Sequence, residues 1–386
     1  MAKSKRVEQD DTAGRDKLAT FLQKALNDRQ KDGTKVAFFL DEKEDPSNIT
    51  EWVSTGSTLL DLAICNRPNA GLPVGRISEF NGLESSGKSL LCAHIIAETQ
   101  KKGGFAVMLD PEYAAAPDFW TALGVNVKNL VYIPSDHLEG MLQNLENTVG
   151  EVRKEYPDRL VTIITDSIAS VPTKKELEGD YEVAGYGGDK SKILSLAMRK
   201  LTGLLARQRI CAVFTNQLRQ NMKAMAFGDQ YTEPGGLAFR FAASVRIRMK
   251  NIGRINNTKK QVIGRTIQAQ VTKTRFGPTF RTATFDIHYD SGIQDLQSWL
   301  DYMKDNGLVT GTKAGYTFKM FEDKRVLKAG EFVTSCSENP EFKETVYNAI
   351  CDDYIMKYRP ANSKIVEDVE HAEGEEAETG EAKEKE

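Results

Sequence analysis

Arg76-Ile-Ser-Glu-Phe-Asn81-Gly82-Leu83-Glu84-Ser85-Ser86-Gly87-Lys88-Ser89 is the stretch on which the fold turns. Arg76–Asn81 reads as a strand, and a helical pattern starts near Lys88. Between them Gly82–Ser89 matches G-x-x-x-x-G-K-[S/T], in the strand-then-helix context that this pattern requires. Glycines let the backbone N–H groups of Leu83, Glu84, Ser85 and Ser86 point inward around phosphates. Lys88 supplies a point charge to the terminal phosphate oxygens, and the Ser89 hydroxyl is placed to ligate Mg2+.

Two further strand ends extend that reading. Leu160-Val-Thr-Ile-Ile-Thr-Asp166-Ser167 is an apolar run closing on a carboxylate, which places Asp166 to hold Mg2+ directly or through water. Phe105–Asp110 leads into Asp110-Pro111-Glu112. A carboxylate just past a strand beside the phosphate loop makes Glu112 the candidate base for an attacking water. Other β-rich runs, Asn129–Pro134 and Ile210–Thr215, are separated by helical stretches starting near Lys88, Leu138 and Asp189. This alternation predicts βαβ units, hence an α/β fold with a mostly parallel sheet.

After residue 240 the runs Ser244–Ile252, Thr266–Thr274 and Thr282–Tyr289 have little helix between them and read as sheet extensions or hairpins. Upstream, Leu18, Phe21, Leu22, Ala25 and Leu26 recur at helical spacing within 13–32, with Gly33 as the C-cap, before the apolar run Val36–Leu40. The expected organisation is an N-terminal oligomerisation helix and linker strand (1–49), a nucleotide-binding core (50–291), a small C-terminal α/β domain (292–360) and an acidic tail (361–386).

The 386 residues carry 52 Lys+Arg and 55 Asp+Glu, a net charge of −3, which alone argues against a nucleic-acid partner. The total conceals regions that disagree. Residues 190–281 hold 19 Lys/Arg against Asp229 and Glu233, a local charge of +17, the kind of stretch that phosphate backbones select for. Residues 361–386 hold ten acids and three bases and no aromatic residue, so the tail is expected to be disordered. No apolar run approaches the ~20 residues that span a bilayer, and the N-terminal segment has no apolar signal core, so a cytoplasmic protein is expected. Cys65, Cys92, Cys211, Cys336 and Cys351 are scattered and form no C-x-x-C, which predicts buried reduced thiols. The four histidines lack metal-ligand spacing, which argues against a structural zinc site.

Read in order, Ser54-Thr-Gly-Ser-Thr-Leu-Leu-Asp61, Gly71-Leu-Pro-Val-Gly-Arg76-Ile, the phosphate-loop stretch, Asp166-Ser-Ile-Ala, Met198-Arg-Lys-Leu201, Asn216-Gln217-Leu-Arg219, Gly235-Gly236 and Val271-Thr-Lys273-Thr-Arg275 resemble the bacterial RecA recombinases over about residues 50–358. The departures are compatible with a phage-encoded relative. The resemblance implies a RecA-type P-loop NTPase core: a twisted, mostly parallel sheet flanked by helices. It implies a DNA-dependent ATPase, with ATP and Mg2+ as cofactors. Such a protein forms a helical homo-oligomeric filament on single-stranded DNA, pairs it with homologous duplex DNA and exchanges strands in recombination and repair. Single-strand-binding and loader proteins are implied as further partners, and no membrane.

The resemblance also assigns roles. Glu112 matches the water-activating glutamate, and Gln217 the glutamine that senses the γ-phosphate. Lys273 and Arg275 match a basic pair that reaches the neighbouring subunit's ATP, where they would neutralise charge on the transferring phosphoryl group. Tyr289 matches the aromatic that packs on adenine. The Asp and Tyr usually found near the base are here Ala116 and Phe119: a ring remains for stacking, but a polar contact is lost, so looser adenine specificity is expected.

Two glycine-bearing loops lie in or beside the basic stretch: Glu178–Asp189, and Leu218–Gly236 with Arg219, Met222, Lys223, Met225, Phe227 and Tyr231. Basic and apolar tips suit phosphates and the spaces between bases. The loops resemble the family's DNA-binding loops. Lys192 and Arg199 match positions that hold phosphates of the primary strand, and Gly235 and Gly236 match a pair that brings backbone N–H groups onto phosphate. Arg248, Lys250, Arg254, Lys259 and Lys260 form a candidate second-strand site. Residues 13–32 and Val36–Leu40 are candidates to dock on an adjacent subunit, the latter as an added edge strand. A ring-forming helicase or DNA motor shares this core, and a non-catalytic recombination mediator would keep the P-loop for assembly alone. The intact Lys88, Glu112, Asp166 and Gln217 speak against the mediator.

Overall fold

In the computed structural model, which describes residues 15–30, 35–42, 45, 47–179, 187–220, 231–312, 315–323 and 325–358, the P-loop strand Ile77–Gly82 is buried along its whole length. It is the middle strand of a nine-stranded sheet. The order across the sheet is Gly292–Ile293, Thr282–His288, Val262–Thr274, Val245–Asn256, Ile77–Gly82, Ile210–Gln217, Val161–Thr165, Phe105–Asp110 and Leu130–Pro134. Every neighbouring pair from Val245–Asn256 to Leu130–Pro134 is parallel. The three pairs on the other side are antiparallel, as the long late runs predict.

Strand alternation divides the apolar residues between two layers. Phe80, Ala106 and Met108 face a core built with the P-loop helix Lys88–Lys101, which buries Leu91, Cys92, Ile95 and Ile96. Ile77, Val107 and Leu109 face the other core. There the helix Leu138–Glu155 contributes Leu138, Met141, Leu142, Leu145 and Val149, an i, i+3, i+4, i+7 stripe. The helix Gly187–Arg207 adds Leu194, Met198, Leu201 and Leu205 to the same layer. The five cysteines are buried and free.

The expected elements form with shifted ends, and some elements were not foreseen. The N-terminal helix runs Lys17–Asn27, capped by the Asp16 side chain, and none of its residues is buried. Residues 13–14 and 31–33, within or beside the expected helix, lie outside the described residues, as does the tail 361–386. Val36–Leu40 is not a strand within this chain. The helix Thr58–Cys65 has no polar face to betray it, because all but its first residue are buried. Residues 295–354 form the helices Asp295–Asp305, Ala329–Glu338 and Pro340–Tyr354 with a three-stranded sheet. Their Trp299, Phe318, Phe332 and Phe342 continue the core that contains Phe80.

His94 joins the P-loop helix to the far edge of the sheet. Its Nε2 accepts a hydrogen bond from the Ile293 backbone N–H at 3.0 Å. Burial pulls its pKa from 6.5 down to about 4. As pH falls from 6.5 toward 4 the unfolded chain takes up a proton on His94 and the folded chain does not, so stability declines through this window by up to roughly 3 kcal/mol. His94→Gln keeps an acceptor without a titrating group. Between pH 7 and pH 5 the urea midpoint of the original chain should therefore fall further than that of the variant. Parallel midpoints across that range would contradict the assignment.

Candidate functional site

The turn after Ile77–Gly82 is shaped by its glycines. A Cβ on Gly82 would lie 2.5 Å from both the Met249 carbonyl oxygen and Ser86 Oγ. Ser85 and Gly87 have φ of +60° and +88°, and Gly87 directly precedes the helix Lys88–Lys101. Left-handed residues interleaved with right-handed ones turn successive N–H groups to one side, forming an anion-binding concavity at a helix N-terminus. The Lys88 side chain folds back over this concavity. Its Nζ donates to the carbonyls of Gly82 (3.1 Å) and Leu83 (2.9 Å) and to Ser86 Oγ (3.3 Å). Burial lowers the Lys88 pKa, opposed by the nearby Asp166 and Glu112 carboxylates.

The carboxylates come from neighbouring strand ends. Asp166 follows Val161–Thr165 and is buried. It accepts a hydrogen bond from the Thr215 hydroxyl, and burial raises its pKa, opposed by the Ser89 and Thr215 hydroxyls. Glu112 sits in a turn pinned by Asp110, whose carboxylate accepts from the Glu112 N–H (2.8 Å), the Ala114 N–H (2.9 Å) and the Tyr132 hydroxyl (3.0 Å). Ser167 Oγ then donates to Glu112 Oε1 at 2.8 Å. Gln217 ends its strand in register with Gly82, and the next N–H, of Leu218, donates to the Gly82 carbonyl at 3.1 Å. Lys88, Asp166 and Glu112 therefore lie close enough to act on one another's charge, and Gln217 ends the adjoining strand level with Gly82.

Other nominated residues are placed less uniformly. Tyr289 reaches the phosphate turn through Arg265, a residue that belongs to no sequence motif. Arg265 Nε donates to the Tyr289 hydroxyl (2.6 Å), and its Nη1 donates to the Ser85 carbonyl (2.7 Å). Phe119 packs half-buried against the core from the short helix Pro117–Ala122, and Ala116 caps that helix without a side-chain bond. Lys273 and Arg275 do not join the phosphate turn of their own chain. Lys273 pairs with Arg246 and Arg246 with Glu79, three residues and about 10 Å upstream of Gly82 along the sheet. There Lys273 Nζ donates to the Arg240 carbonyl at 2.5 Å, and Arg275 is exposed beyond it.

Four of the nominated DNA-side residues lie on or against one helix. Lys192 and Arg199 are exposed on Gly187–Arg207. Gly235 and Gly236, with φ of +93° and +67°, lie against the same helix. A Cβ on Gly235 would fall 2.5 Å from Leu194 Cδ1, and one on Gly236 would fall 3.3 Å from Ser191 Oγ. Arg219 is exposed on Arg219–Gln220, which pairs with Tyr231–Thr232. Met222, Lys223, Met225 and Phe227 lie outside the described residues, as do Tyr181, Gly185 and Tyr186 of the first loop.

Not all of the basic excess faces outward. Lys190 Nζ donates to the carbonyls of Ala169 and Val171. Arg246 is buried between Glu79 (2.5 Å) and Glu233 (2.6 Å), and Asn216 Nδ2 completes the cluster by donating to Glu79. No sequence signal marks this cluster, since its partners are far apart along the chain. Lys250, Arg254, Lys259 and Lys260 are exposed on the hairpin, and Arg248 packs over the Tyr231 ring.

Comparison with known proteins agrees with the sequence resemblance. The family model for the RecA N-terminal domain matches residues 20–294. The chain is 36% identical to Protein RecA of Heliobacterium modesticaldum over 307 residues, covering 80% of this chain and 85% of that protein. It is 36% identical to Protein RecA of Clostridium novyi over 346 residues, covering 89% and 94%. With Protein RecA of Aquifex aeolicus the identity is 33% over 327 residues, covering 84% and 88%.

The packing around Gly82 gives a direct test of the turn. Gly82→Ala drives a Cβ into a backbone carbonyl and should cost about 1–3 kcal/mol. Gly103→Ala, at φ +74° with nothing within 4 Å, should cost only the local strain of about 1–2 kcal/mol. In thermal denaturation the first variant should melt lower than the second, and the reverse order would refute the steric account.

Proposed function

The chain belongs to the RecA family, and from that premise we propose that it is an ATP-dependent DNA recombinase, acting as a filament on single-stranded DNA that it pairs with homologous duplex. One observation carries the reading. The strand that ends at the phosphate turn is hydrogen-bonded to the strand that ends at Gln217 and continues into the DNA-side loop. Nucleotide state and DNA contact thus share a single backbone junction.

In this reading the ATP phosphates occupy the Gly82–Ser89 turn and take over the Lys88 ammonium from the Gly82 and Leu83 carbonyls. The Ser89 hydroxyl, which favours the charged form of Asp166, and the Asp166 carboxylate are an all-oxygen donor set of the kind Mg2+ accepts alongside phosphate oxygens. Bound there, the ion would neutralise charge on the triphosphate. Glu112, oriented by Ser167, takes the proton of the attacking water. Gln217 responds to the γ-phosphate and moves the loop that Leu218 begins. Tyr289 and Phe119 hold the base. Lys192, Arg199, Arg219, Gly235 and Gly236 hold backbone phosphates of the DNA, with Lys223 and Phe227 of the same loop assigned to it as well. Base pairing then reads the sequence, while the protein holds backbone and spacing.

Assembly follows from surfaces left open in the single chain. Leu18 and Phe21 of the N-terminal helix are 72% and 68% exposed. Leu130–Pro134 forms the edge of the sheet, with an outer side that has no partner among the described strands. A neighbour's helix covering that region, and its Val36–Leu40 adding to that edge, would close both surfaces. Lys273 and Arg275, remote from their own phosphate turn, then serve the ATP of an adjacent subunit.

Two experiments test this. Purified protein with ATP and Mg2+ should form joint molecules between a circular single strand and homologous linear duplex; duplex unwinding without joint molecules would favour a helicase. Glu112→Gln should slow hydrolysis by about 10²-fold or more while keeping ATP-dependent DNA binding. Lys273→Ala with Arg275→Ala should lose about 10³-fold while still binding nucleotide. Mixing these two inactive proteins should restore turnover, because each subunit supplies the part its neighbour lacks. A mixture as inactive as its components would overturn action across the interface.

A further inference from the structure

Arg265 is a guanidinium held in place but incompletely used. Of its five N–H donors, Nε serves the Tyr289 hydroxyl at 2.6 Å and one on Nη1 serves the Ser85 carbonyl at 2.7 Å. The other three have no acceptor among the described residues, and no described carboxylate lies within ion-pair distance. The residue is half-buried, and its carbon Cζ stands 5.9 Å from the Tyr289 ring centroid. A partly desolvated cation fixed by two bonds, with three donors left over, is preorganised for an acceptor that arrives from outside.

Its position narrows what that acceptor is. Side chains two apart on a strand share a face, so Arg265 lies on the side of Ile267, whose Cδ1 would be 3.3 Å from a Cβ on Gly87. Arg265 therefore flanks the phosphate turn. It binds the turn through the Ser85 carbonyl, however, and leaves to the phosphates the backbone N–H groups that form an anion-binding concavity. The guanidinium is thus outside the phosphate cradle, between it and the Tyr289 ring. Ala116, matched by the resemblance to a position near the base, has no side-chain acceptor for an exocyclic amino group.

We propose that Arg265 reads the acceptor edge of the purine base, donating to N7 of adenine and to N7 and O6 of guanine, so that the site takes both purine triphosphates. The proposal rests on the nucleotide site assigned above and adds its specificity. A guanidinium donates and cannot accept, so it gains nothing from the adenine amino group, and its fork matches the paired acceptors of guanine. Pyrimidines present no N7 and are disfavoured.

Displacement of a fluorescent ATP analogue in the presence of Mg2+ measures this without relying on turnover. The original chain should bind ATP and GTP within about threefold of each other, and 7-deaza-ATP, which lacks only the N7 acceptor, about tenfold or more weaker than ATP. Arg265→Ala should weaken ATP and GTP while leaving 7-deaza-ATP and UTP unchanged. Arg265→Lys, which keeps the charge without the fork, should lose more GTP affinity than ATP affinity. If 7-deaza-ATP binds the original chain as tightly as ATP, the base-reading role is wrong whatever the variants do. If Arg265→Ala weakens all four nucleotides alike, the guanidinium serves the phosphates or the turn instead. If no triphosphate displaces the analogue from the original chain, the nucleotide site and this inference fall together.

Discussion

Lys88 brings an ammonium into the interior with no carboxylate at ion-pair distance among the described residues. Two carbonyls and one hydroxyl hold it, and burial works against its charge. Such a group is costly unless an anion arrives to pair with it. It can be held ready only because the turn beneath it cannot relax. The strand that enters the turn is buried throughout and paired on both sides by parallel neighbours. Gly82 leaves no space for even a methyl group. The rest of the structure is arranged around that constraint: the carboxylates reach the turn from adjoining strand ends, and the segment that begins at Leu218 leaves from the strand beside it.

Much of this was legible because it is local. Phe105–Asp110 has the bounds its apolar run predicts, and Ile77–Gly82 and Val161–Thr165 lie within a residue of theirs. A buried parallel strand is a short apolar run ended by turn residues, and the phosphate pattern fixes its neighbours in kind. The helix Thr58–Cys65 was not legible, because burial on all sides removes the periodicity by which a helix is recognised. The strands Trp52–Val53 and Leu72–Pro73 are too short to show any pattern.

The site was legible wherever one residue type has one use, and obscure wherever charge is counted without partners. Lys88, Glu112 and Asp166 lie near one another, each at the end of a strand or turn that its own local pattern marks. Arg246 looks like any other member of the +17 stretch, yet it is buried against Glu79, 167 residues away, and Glu233, 13 residues away. Lys190 likewise spends its charge on backbone carbonyls. The basic stretch is therefore partly scaffold and partly surface. Lys192 and Arg199 belong to the surface, and Glu79–Arg246–Glu233 ties the chain at Glu233 to the strand that carries the phosphate turn. Arg265 is obscure for the opposite reason: one arginine on a strand carries no pattern, and only the fold brings Tyr289 and Ser85 beside it.

We propose that the phosphate turn and the DNA-side loop are coupled through the Gly82–Gln217 junction. The most direct measurement is the affinity for a fluorescent single-stranded oligonucleotide, with and without a non-hydrolysable ATP analogue, in the original chain and in Gln217→Ala. Coupling of about 1–3 kcal/mol corresponds to roughly 5- to 150-fold. The analogue should tighten DNA binding by a factor in that range in the original chain and by about twofold or less in the variant. Equal tightening in both proteins would show that the nucleotide reaches the DNA surface by another route and would contradict the account.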